Sequence, residues 1–190
     1  MGQQGLRGSV ARLVTRYRVA VNWLFGLVYL LFARPTYKSL FLAAIIVVCG
    51  EGLRIWASGY ISKSTRLATG GPYAFTRHPL YLGSFIIGLG FCLGGRNWWL
   101  TGTFLLLFPL IYGTTMKAEE RRLKELFPDD YPSYSRQVPL FFPLKRWFKG
   151  GGSSFQWKLF LENREHKTLA GVGAVFTLLL LKIAIMGEAL

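Results

Sequence analysis

Two short groups of chemically active side chains stand out in a sequence that is otherwise strongly apolar. The first lies in GPYAFTRHPLYLG, residues 71–83, where Arg77 and His78 directly precede Pro79. Proline is favoured in the first turn of a helix, because its missing N–H would have no partner there. The motif therefore predicts a helix N-terminus at Pro79, whose free N–H groups favour an anionic group such as a carboxylate. The plainer alternative is that Arg77 anchors the chain at the membrane surface and His78 is an interfacial polar residue.

The second group is the pair Glu119 and Glu120, which follows the apolar run 98–116. Carboxylates at the C-terminal end of an apolar helix are unfavourable unless a cation lies nearby. That cation is either a neighbouring basic side chain, which would make the pair a solvated helical face, or an ammonium or sulfonium group of a bound ligand. Cations on one side and carboxylates on the other suit a zwitterionic amino acid group.

The elements that must position these groups are apolar segments of membrane-spanning length. Hydrophobic residues make up 52% of the 190-residue chain. Five segments are predicted to form transmembrane helices, at 19–33, 40–56, 80–95, 98–116 and 168–186. The first and third are short, so each is expected to be tilted or partly interfacial. The sequence thus predicts an all-α, polytopic membrane protein.

The net charge of +14 indicates cytoplasmic loops of a membrane protein rather than a nucleic-acid partner, because the basic residues lie between the apolar runs. Of the 23 Lys and Arg residues, only Arg34, Lys38 and Arg96 fall on the side opposite the N-terminus, and Lys182 lies inside the fifth span. This bias predicts a cytoplasmic N-terminus and an external C-terminus. With no cleavable signal pattern, it agrees with a bacterial inner membrane.

The third and fourth apolar segments are joined by a short turn at 94–97, so their cytoplasmic ends should be adjacent. Arg77, His78 and Tyr81 are therefore expected to face Glu119 and Glu120. On the second segment, the spacing of Glu51 and Arg54 permits a helical ion pair. Alternatively, Glu51 lines a substrate entrance, since acids within a membrane segment are costly and often functional.

Taken together, GPYAFTRHPLYLG, the apolar hairpin, the Glu-Glu pair and ELFPDDYPSYSRQVPLFFP resemble the isoprenylcysteine carboxyl methyltransferase and phospholipid methyltransferase superfamily. The resemblance covers about residues 40–145. It implies S-adenosylmethionine as the methyl donor, held without a Rossmann domain between the helices of the core and the cytoplasmic segment that follows them. It also implies a cofactor site without a metal, formed by Tyr73, Arg77, His78, Pro79, Tyr81, Gly83, Glu119 and Glu120.

The remaining site residues follow from the same motifs and from the second apolar segment. Glu120, Tyr134 and Arg136 are the candidate catalytic residues. Glu51, Arg54 and Tyr131 are expected on the substrate side. The donor would enter from the cytosol, and the acceptor would be a lipid or another lipophilic molecule arriving from the bilayer.

Two other functions remain open at this point. One is a membrane NADPH-dependent reductase of the sterol reductase type, which would bind its cofactor in the same region. The other is a non-catalytic membrane scaffold whose basic loops hold anionic lipid. The predicted organisation is a basic N-terminus with the first helix (1–39), a methyltransferase-like core (40–148), a Gly-rich linker and polar segment (149–167), and an additional helix (168–190).

Overall fold

The fold is all-α and polytopic. The computed structural model describes residues 20–61, 66–143, 148 and 154–187. The elements within these ranges are α1 (Ala20–Phe32), α2 (Tyr37–Ser58), a 3-10 turn (Gly71–Ala74), α3 (Pro79–Gly94), α4 (Trp98–Leu126), α5 (Asp130–Gln137), α6 (Trp157–Glu162) and α7 (Glu165–Gly187). Within the described residues, each of the five predicted apolar segments coincides with a helix. Helices α2, α4 and α7 are long and apolar enough to cross a membrane, whereas α1 and α3 are shorter.

Polar caps fix where two of the helices begin. Thr36 and Ser39 form a capping box at the start of α2, which therefore begins three residues before the predicted segment. Asn97 accepts hydrogen bonds from the backbone N–H groups of Trp99 and Leu100, so it starts α4 directly after the turn that ends α3.

Helices α2 and α3 approach each other closely because glycines line their contact. A Cβ atom on Gly83 would lie 2.8 Å from the carbonyl oxygen of Gly50 and 2.5 Å from Cγ of Arg54. Gly90 and Gly94 face Val47 and Ala43 of α2 at comparable distances. Small residues at a helix contact let the backbones approach, and this sets the distance between the two helices that carry Arg54 and Tyr81.

Helix α4 is longer than the apolar run predicts, since it continues from Met116 to Leu126. The added stretch, KAEERRLKEL, consists almost entirely of strong helix formers. At about 1.5 Å per residue, the 29 residues measure about 44 Å, more than the roughly 30 Å of a bilayer core. Glu119 and Glu120 therefore lie on a continuous helix rather than beyond its end, and the backbone holds them rigidly.

Helix α7 packs into the fold, although the Gly-rich stretch before it suggests an appendage. Leu179 is fully buried in a cluster with Tyr29, Ala33, Leu40 and Leu100, which belong to or adjoin three other helices. Lys182 Nζ donates to two carbonyl oxygens in the last turn of α1, at 2.7 and 2.8 Å. Carbonyls at a helix end lack partners within their own helix, so this lysine satisfies them. The linker itself, 149–153, lies outside the described residues.

Candidate functional site

Four helices bring their ends together at one end of the bundle, which we call the site end. Arg54 near the end of α2 binds Glu165 at the start of α7 and the carbonyl of Leu80 at the start of α3. Tyr81 of α3 donates to Glu119 of α4 over 2.7 Å. The two groups of chemically active residues thus meet, as the hairpin argument predicts.

The segment before α3 is held in place by backbone contacts with the segment after α5. Gly71 adopts a positive φ of 56°, a conformation that glycine takes without steric cost, and the 3-10 turn follows directly. The Arg77 N–H donates to the carbonyl of Pro139 over 3.0 Å, and the Thr76 hydroxyl donates to the carbonyl of Phe141 over 2.7 Å. These bonds fix Arg77 and His78 before the helix begins. Thr76 was not among the predicted residues, since its hydroxyl bonds to residues far along the chain.

Arg77, Glu120 and Tyr131 form a connected polar cluster. Arg77 Nη1 lies 2.5 Å from Glu120 Oε1, and the Tyr131 hydroxyl donates to the same oxygen over 2.5 Å. Arg77 Nη1 also donates to the Tyr131 hydroxyl over 3.3 Å. Burial and the hydrogen bond to the Glu120 carboxylate raise the pKa of Tyr131 to about 12. The phenol therefore keeps its proton at neutral pH and acts as a donor.

His78 lies between the two carboxylates of α4. Its Nδ1 atom is 3.6 Å from Glu119 Oε2, and its Nε2 atom is 3.7 Å from Glu120 Oε1. Both distances exceed those of ordinary hydrogen bonds. The imidazole is only 5% exposed, and its ring centroid lies 5.6 Å from that of Tyr81. His78 is therefore close to both carboxylates without being bonded to either.

A cavity of about 430 Å³ opens beside these residues, within the size range of small-molecule sites. Seven of the predicted site residues line it: Arg54, Tyr73, Arg77, His78, Tyr81, Glu119 and Tyr134. Sequence reasoning missed Arg66, Arg122, Leu123 and Leu126, which also line it. The last three share one face of α4 with Glu119 at helical spacing, and that spacing would have indicated them.

Three buried polar atoms on the cavity-lining residues have no hydrogen-bond partner within the described part of the chain. They are the Tyr73 hydroxyl, Arg77 Nε and His78 Nε2. Unpaired buried polar groups are costly and uncommon in folded proteins, so they are expected to have a ligand. With the Glu119 carboxylate in the same wall, the cavity offers partners for both charges of a zwitterion. The lining thus carries groups of both charges, the combination that a zwitterionic ligand requires.

Glu120 and Tyr131, predicted to contact reactants, lie outside the cavity lining. Both side chains bind Arg77, which does line it. Pro79 is fully buried at the first position of α3, and Gly83 faces α2. These four residues support the residues that line the cavity, but they do not line it themselves.

Arg136 and Glu51 also lie away from the cavity. Arg136 is exposed on α5, and its Nε atom donates to the carbonyl of Pro132 in its own helix. Glu51 is 6% exposed, and neither of its carboxylate oxygens has a hydrogen-bond partner among the described residues.

The predicted ion pair between Glu51 and Arg54 is wrong. Arg54 binds Glu165 instead, with its Nε and Nη2 atoms 2.8 to 3.1 Å from the two carboxylate oxygens. Its Nη1 atom donates to the Ser84 hydroxyl and to the carbonyl of Leu80. A planar guanidinium matches a carboxylate in this two-pronged manner, which Glu51 on the same helix does not offer. Arg54 is thus a cavity-wall residue held by α7.

Comparison with known proteins places much of the chain among membrane methyltransferases and metal-resistance proteins. The family model for phospholipid methyltransferases matches residues 38–130. The chain is 31% identical to the cobalt-zinc-cadmium resistance protein CzcN of Cupriavidus metallidurans over 77% of this chain and 73% of that protein. It is 40% identical to the nickel-cobalt-cadmium resistance protein NccN of Alcaligenes xylosoxydans xylosoxydans over 47% of this chain and 43% of that protein.

A third relative is the protein-S-isoprenylcysteine O-methyltransferase of Schizosaccharomyces pombe, 31% identical over 54% of this chain and 43% of that enzyme. No solved structure matches the chain significantly. Although two relatives are named for metal resistance, the described residues hold no cluster of three or more His, Cys, Asp or Glu side chains that would bind a metal ion.

Proposed function

We propose that this chain, which belongs to the isoprenylcysteine carboxyl methyltransferase and phospholipid methyltransferase superfamily, is an integral membrane enzyme that transfers a methyl group from S-adenosylmethionine to a lipophilic acceptor. The observation that carries the proposal is the cavity at the site end. There, Tyr73, Arg77 and His78, each with a buried polar atom that has no partner among the described residues, line the same cavity as Glu119.

The cavity residues divide by charge into two sets that suit the two ends of an amino acid. Glu119 is the cavity carboxylate, and it would bind an ammonium or sulfonium group. The Arg77 Nε–H and the Tyr73 hydroxyl are unused donors that would bind a carboxylate. Bound S-adenosylmethionine would supply the methyl group, and its transfer to a lone pair of the acceptor would leave the electrons of the broken bond on sulfur as a neutral thioether.

The contribution of the chain would be positioning and electrostatics. Glu120 and Tyr131 hold Arg77 in one orientation, so its guanidinium would already be positioned when the donor arrives. Tyr81 is bonded to Glu119, and its ring lies against that of His78 at a tilted angle, which fixes the opposite side of the cavity. A carboxylate acceptor would need no base, whereas an amine must lose a proton, for which Glu119 and Tyr81 lie in the wall.

We further propose that the site end faces the cytoplasm of a bacterial cell. In the described part of the chain, the Lys and Arg residues between the apolar segments, apart from Arg34, Lys38 and Arg96, fall at this end by their position in the sequence, which is the distribution that the positive-inside rule associates with the cytoplasm. A soluble, charged donor would then enter from the cytosol, and the lipophilic acceptor would enter from the membrane.

Tyr73→Phe offers a sharp test of the donor site. The Tyr73 hydroxyl has no partner among the described residues, so its removal should cost the fold nothing while removing a donor contact. Calorimetric titration of the detergent-purified protein with S-adenosylmethionine should show binding that weakens about 10-fold or more in Tyr73→Phe and Glu119→Gln, as expected for hydrogen bonds to charged groups.

Glu162→Gln is the matched control, because Glu162 is exposed on α6 and pairs only loosely with Lys158. It should bind the donor as the wild type does. The purified protein should also transfer radiolabelled methyl groups from the donor to a bacterial lipid extract. Binding of NADPH in place of S-adenosylmethionine, or of neither, would contradict the proposal.

A further inference from the structure

Residues 155–167, which we call the α6 segment, are fixed to the end of α2 at the site end. The side-chain amide of Asn163 donates to the carbonyl of Ser58 over 3.0 Å, and so satisfies an acceptor that has no partner within its own helix. The ring of Phe155 packs over Gly59, where a Cβ atom would lie only 2.3 Å from it. The α6 segment is therefore held in one place by specific contacts.

These contacts place the α6 segment at the depth of the membrane surface. The candidate span of α2 ends at Ser58, and that of α7 begins at Glu165. The ion pair between Arg54 and Glu165 keeps these two helix ends side by side. A segment that is fixed to the end of one span and leads directly into the other lies where both spans leave the hydrocarbon.

The outer face of α6 carries two large apolar side chains. Trp157 is 67% exposed and Leu161 is 59% exposed. They are four residues apart, so they share one face of the helix. The Trp157 ring is supported edge-on by the rings of Phe155 and Phe160, at centroid distances of 5.0 and 5.8 Å. Tryptophan is enriched at the membrane interface, and this face is suited to the boundary between lipid headgroups and acyl chains.

The charges of the α6 segment are mainly positive. Lys158, Arg164 and Lys167 are exposed, and Glu162 is the one exposed acidic residue of the segment. Its other acid, Glu165, is buried in the ion pair with α7's partner helix α2. Long basic side chains can extend from an apolar surface to bring their charge among headgroups. Each one near an anionic lipid surface favours binding about fivefold.

We propose that the α6 segment is a docking surface for anionic phospholipids. Trp157 and Leu161 enter the boundary between headgroups and acyl chains, and the three basic side chains bind lipid phosphates. Lipid is the occupant because the exposed face lies at the membrane surface and combines apolar and basic groups. The segment lies outside the residues 38–130 that match the family model, and the inference does not depend on methyl transfer.

The first measurement tests whether α6 touches lipid. Full-length protein with Cys49 and Cys92 replaced by serine receives a single cysteine, Leu161→Cys, labelled with a nitrobenzoxadiazole fluorophore. In phosphatidylcholine vesicles, a lipid with a nitroxide near the top of its acyl chain should quench this label roughly threefold more than the same label at Lys124→Cys. Lys124 is the matched control, because it is exposed and lies about 39 Å along α4 from Trp98, beyond the roughly 30 Å hydrocarbon core.

The second measurement tests which lipid is bound. The nitroxide is carried either by phosphatidylglycerol or by phosphatidylcholine, at low levels in unlabelled phosphatidylcholine. The anionic lipid should quench the Leu161→Cys label at about a fivefold lower mole fraction, and high salt should weaken this preference. Lys158→Gln combined with Lys167→Gln should bring the two lipids close to equality. Lys38→Gln, at the opposite end of the bundle, should leave the preference intact.

Two results would overturn the inference. Equal quenching at Leu161→Cys and Lys124→Cys would show that α6 does not enter lipid, and would indicate a protein partner or solvent instead. A preference for phosphatidylglycerol that is absent, or that survives in the Lys158→Gln, Lys167→Gln protein, would reject the anionic lipid. Both lysines are exposed, so unfolding midpoints in detergent should match the wild type. No readout uses the methyl donor, so failure of the proposed function would leave this test unaffected.

Discussion

Arg77 is the residue through which the site is assembled. Its backbone binds the segment after α5, its Nη1 atom binds Glu120 and Tyr131, and its buried Nε–H has no partner among the described residues. A lysine would offer a single point charge in place of this fork, so it would not bind both partners and a ligand in the same geometry. The identity of residue 77 therefore matters beyond its charge.

The protonation of Tyr131 gives a pH-dependent prediction. An unfolded chain loses this proton near pH 10, whereas burial and the Glu120 carboxylate raise the pKa of Tyr131 to about 12 in the fold. Its contribution to stability is therefore fully present below about pH 10 and is lost as the pH rises towards 12. Thermal unfolding in detergent should show that the wild type loses more stability than Tyr131→Phe between these pH values. Parallel losses in the two proteins would contradict this.

The sequence predicted the contacts between the two motifs but missed those made by α7. Tyr81 with Glu119 and Arg77 with Glu120 follow from motif order, because a short turn forces α3 and α4 together. The partner of Arg54 lies 111 positions away in sequence, beyond a Gly-rich stretch, so no local pattern indicates it. The unpaired Tyr73 hydroxyl was equally unpredictable, because pairing depends on three-dimensional neighbours.

At the scale of elements, the contact between α2 and α3 sets the frame of the site. Arg54 and Leu80 meet only because Gly50 and Gly83 let the two backbones approach. The glycine in the motif thus has a packing role, although the family resemblance suggested a cofactor contact for it.

Gly83→Ala should destabilise the protein by about 1–3 kcal/mol, because the added methyl group overlaps the Gly50 carbonyl and the Arg54 side chain. Gly52→Ala, on the partner helix α2, is the control. Its Cβ meets no atom within 4 Å, so it should leave stability unchanged or raise it by about 0.5–1 kcal/mol. Thermal unfolding in detergent distinguishes the two variants. Equal stabilities would refute a close helix crossing.

The ion pair between Arg54 of α2 and Glu165 of α7 gives a second prediction about how the helices are held together. Arg54 and Glu165 have side chains only 14% and 8% exposed, so neutralising the carboxylate leaves a largely buried charge without its partner. Glu165→Gln should lower stability by about 2–4 kcal/mol. Glu162→Gln should have little effect, since its ion pair with Lys158 is exposed and 3.8 Å long. Unfolding midpoints that fall equally in both variants would argue against a special role for Glu165.

At the scale of the whole molecule, polar contacts hold both ends of an apolar bundle. The site end has Arg54 with Glu165, and the opposite end has Lys182 on the carbonyls of α1 and Asn97 on the carbonyl of Phe32. The exposed apolar residues between them, such as Phe41, Leu106 and Ile185, are suited to lipid. The five apolar helices were predictable from hydropathy, whereas these end contacts were not.

Orientation in the membrane is testable by labelling single cysteines after Cys49 and Cys92, both free thiols, are replaced by serine. Lys38 precedes the membrane portion of α2 at the end opposite the site, and Lys158 lies at the site end. A membrane-impermeant maleimide should label Lys38→Cys in intact cells, and Lys158→Cys only after the membrane is opened. The reverse pattern would place the donor site outside the cytoplasm.

The bond between Arg54 and Glu165 also bears on how the protein is made. Helices α2, α3 and α4 leave the ribosome before α7, and domains generally begin to fold in the order of synthesis. Until α7 inserts, Arg54 has no carboxylate partner, because Glu165 belongs to α7. The part of the cavity wall that Arg54 forms is then not yet fixed. The fixing of Arg54 in the wall of the proposed donor cavity therefore waits for membrane insertion of a helix synthesised about a hundred residues later.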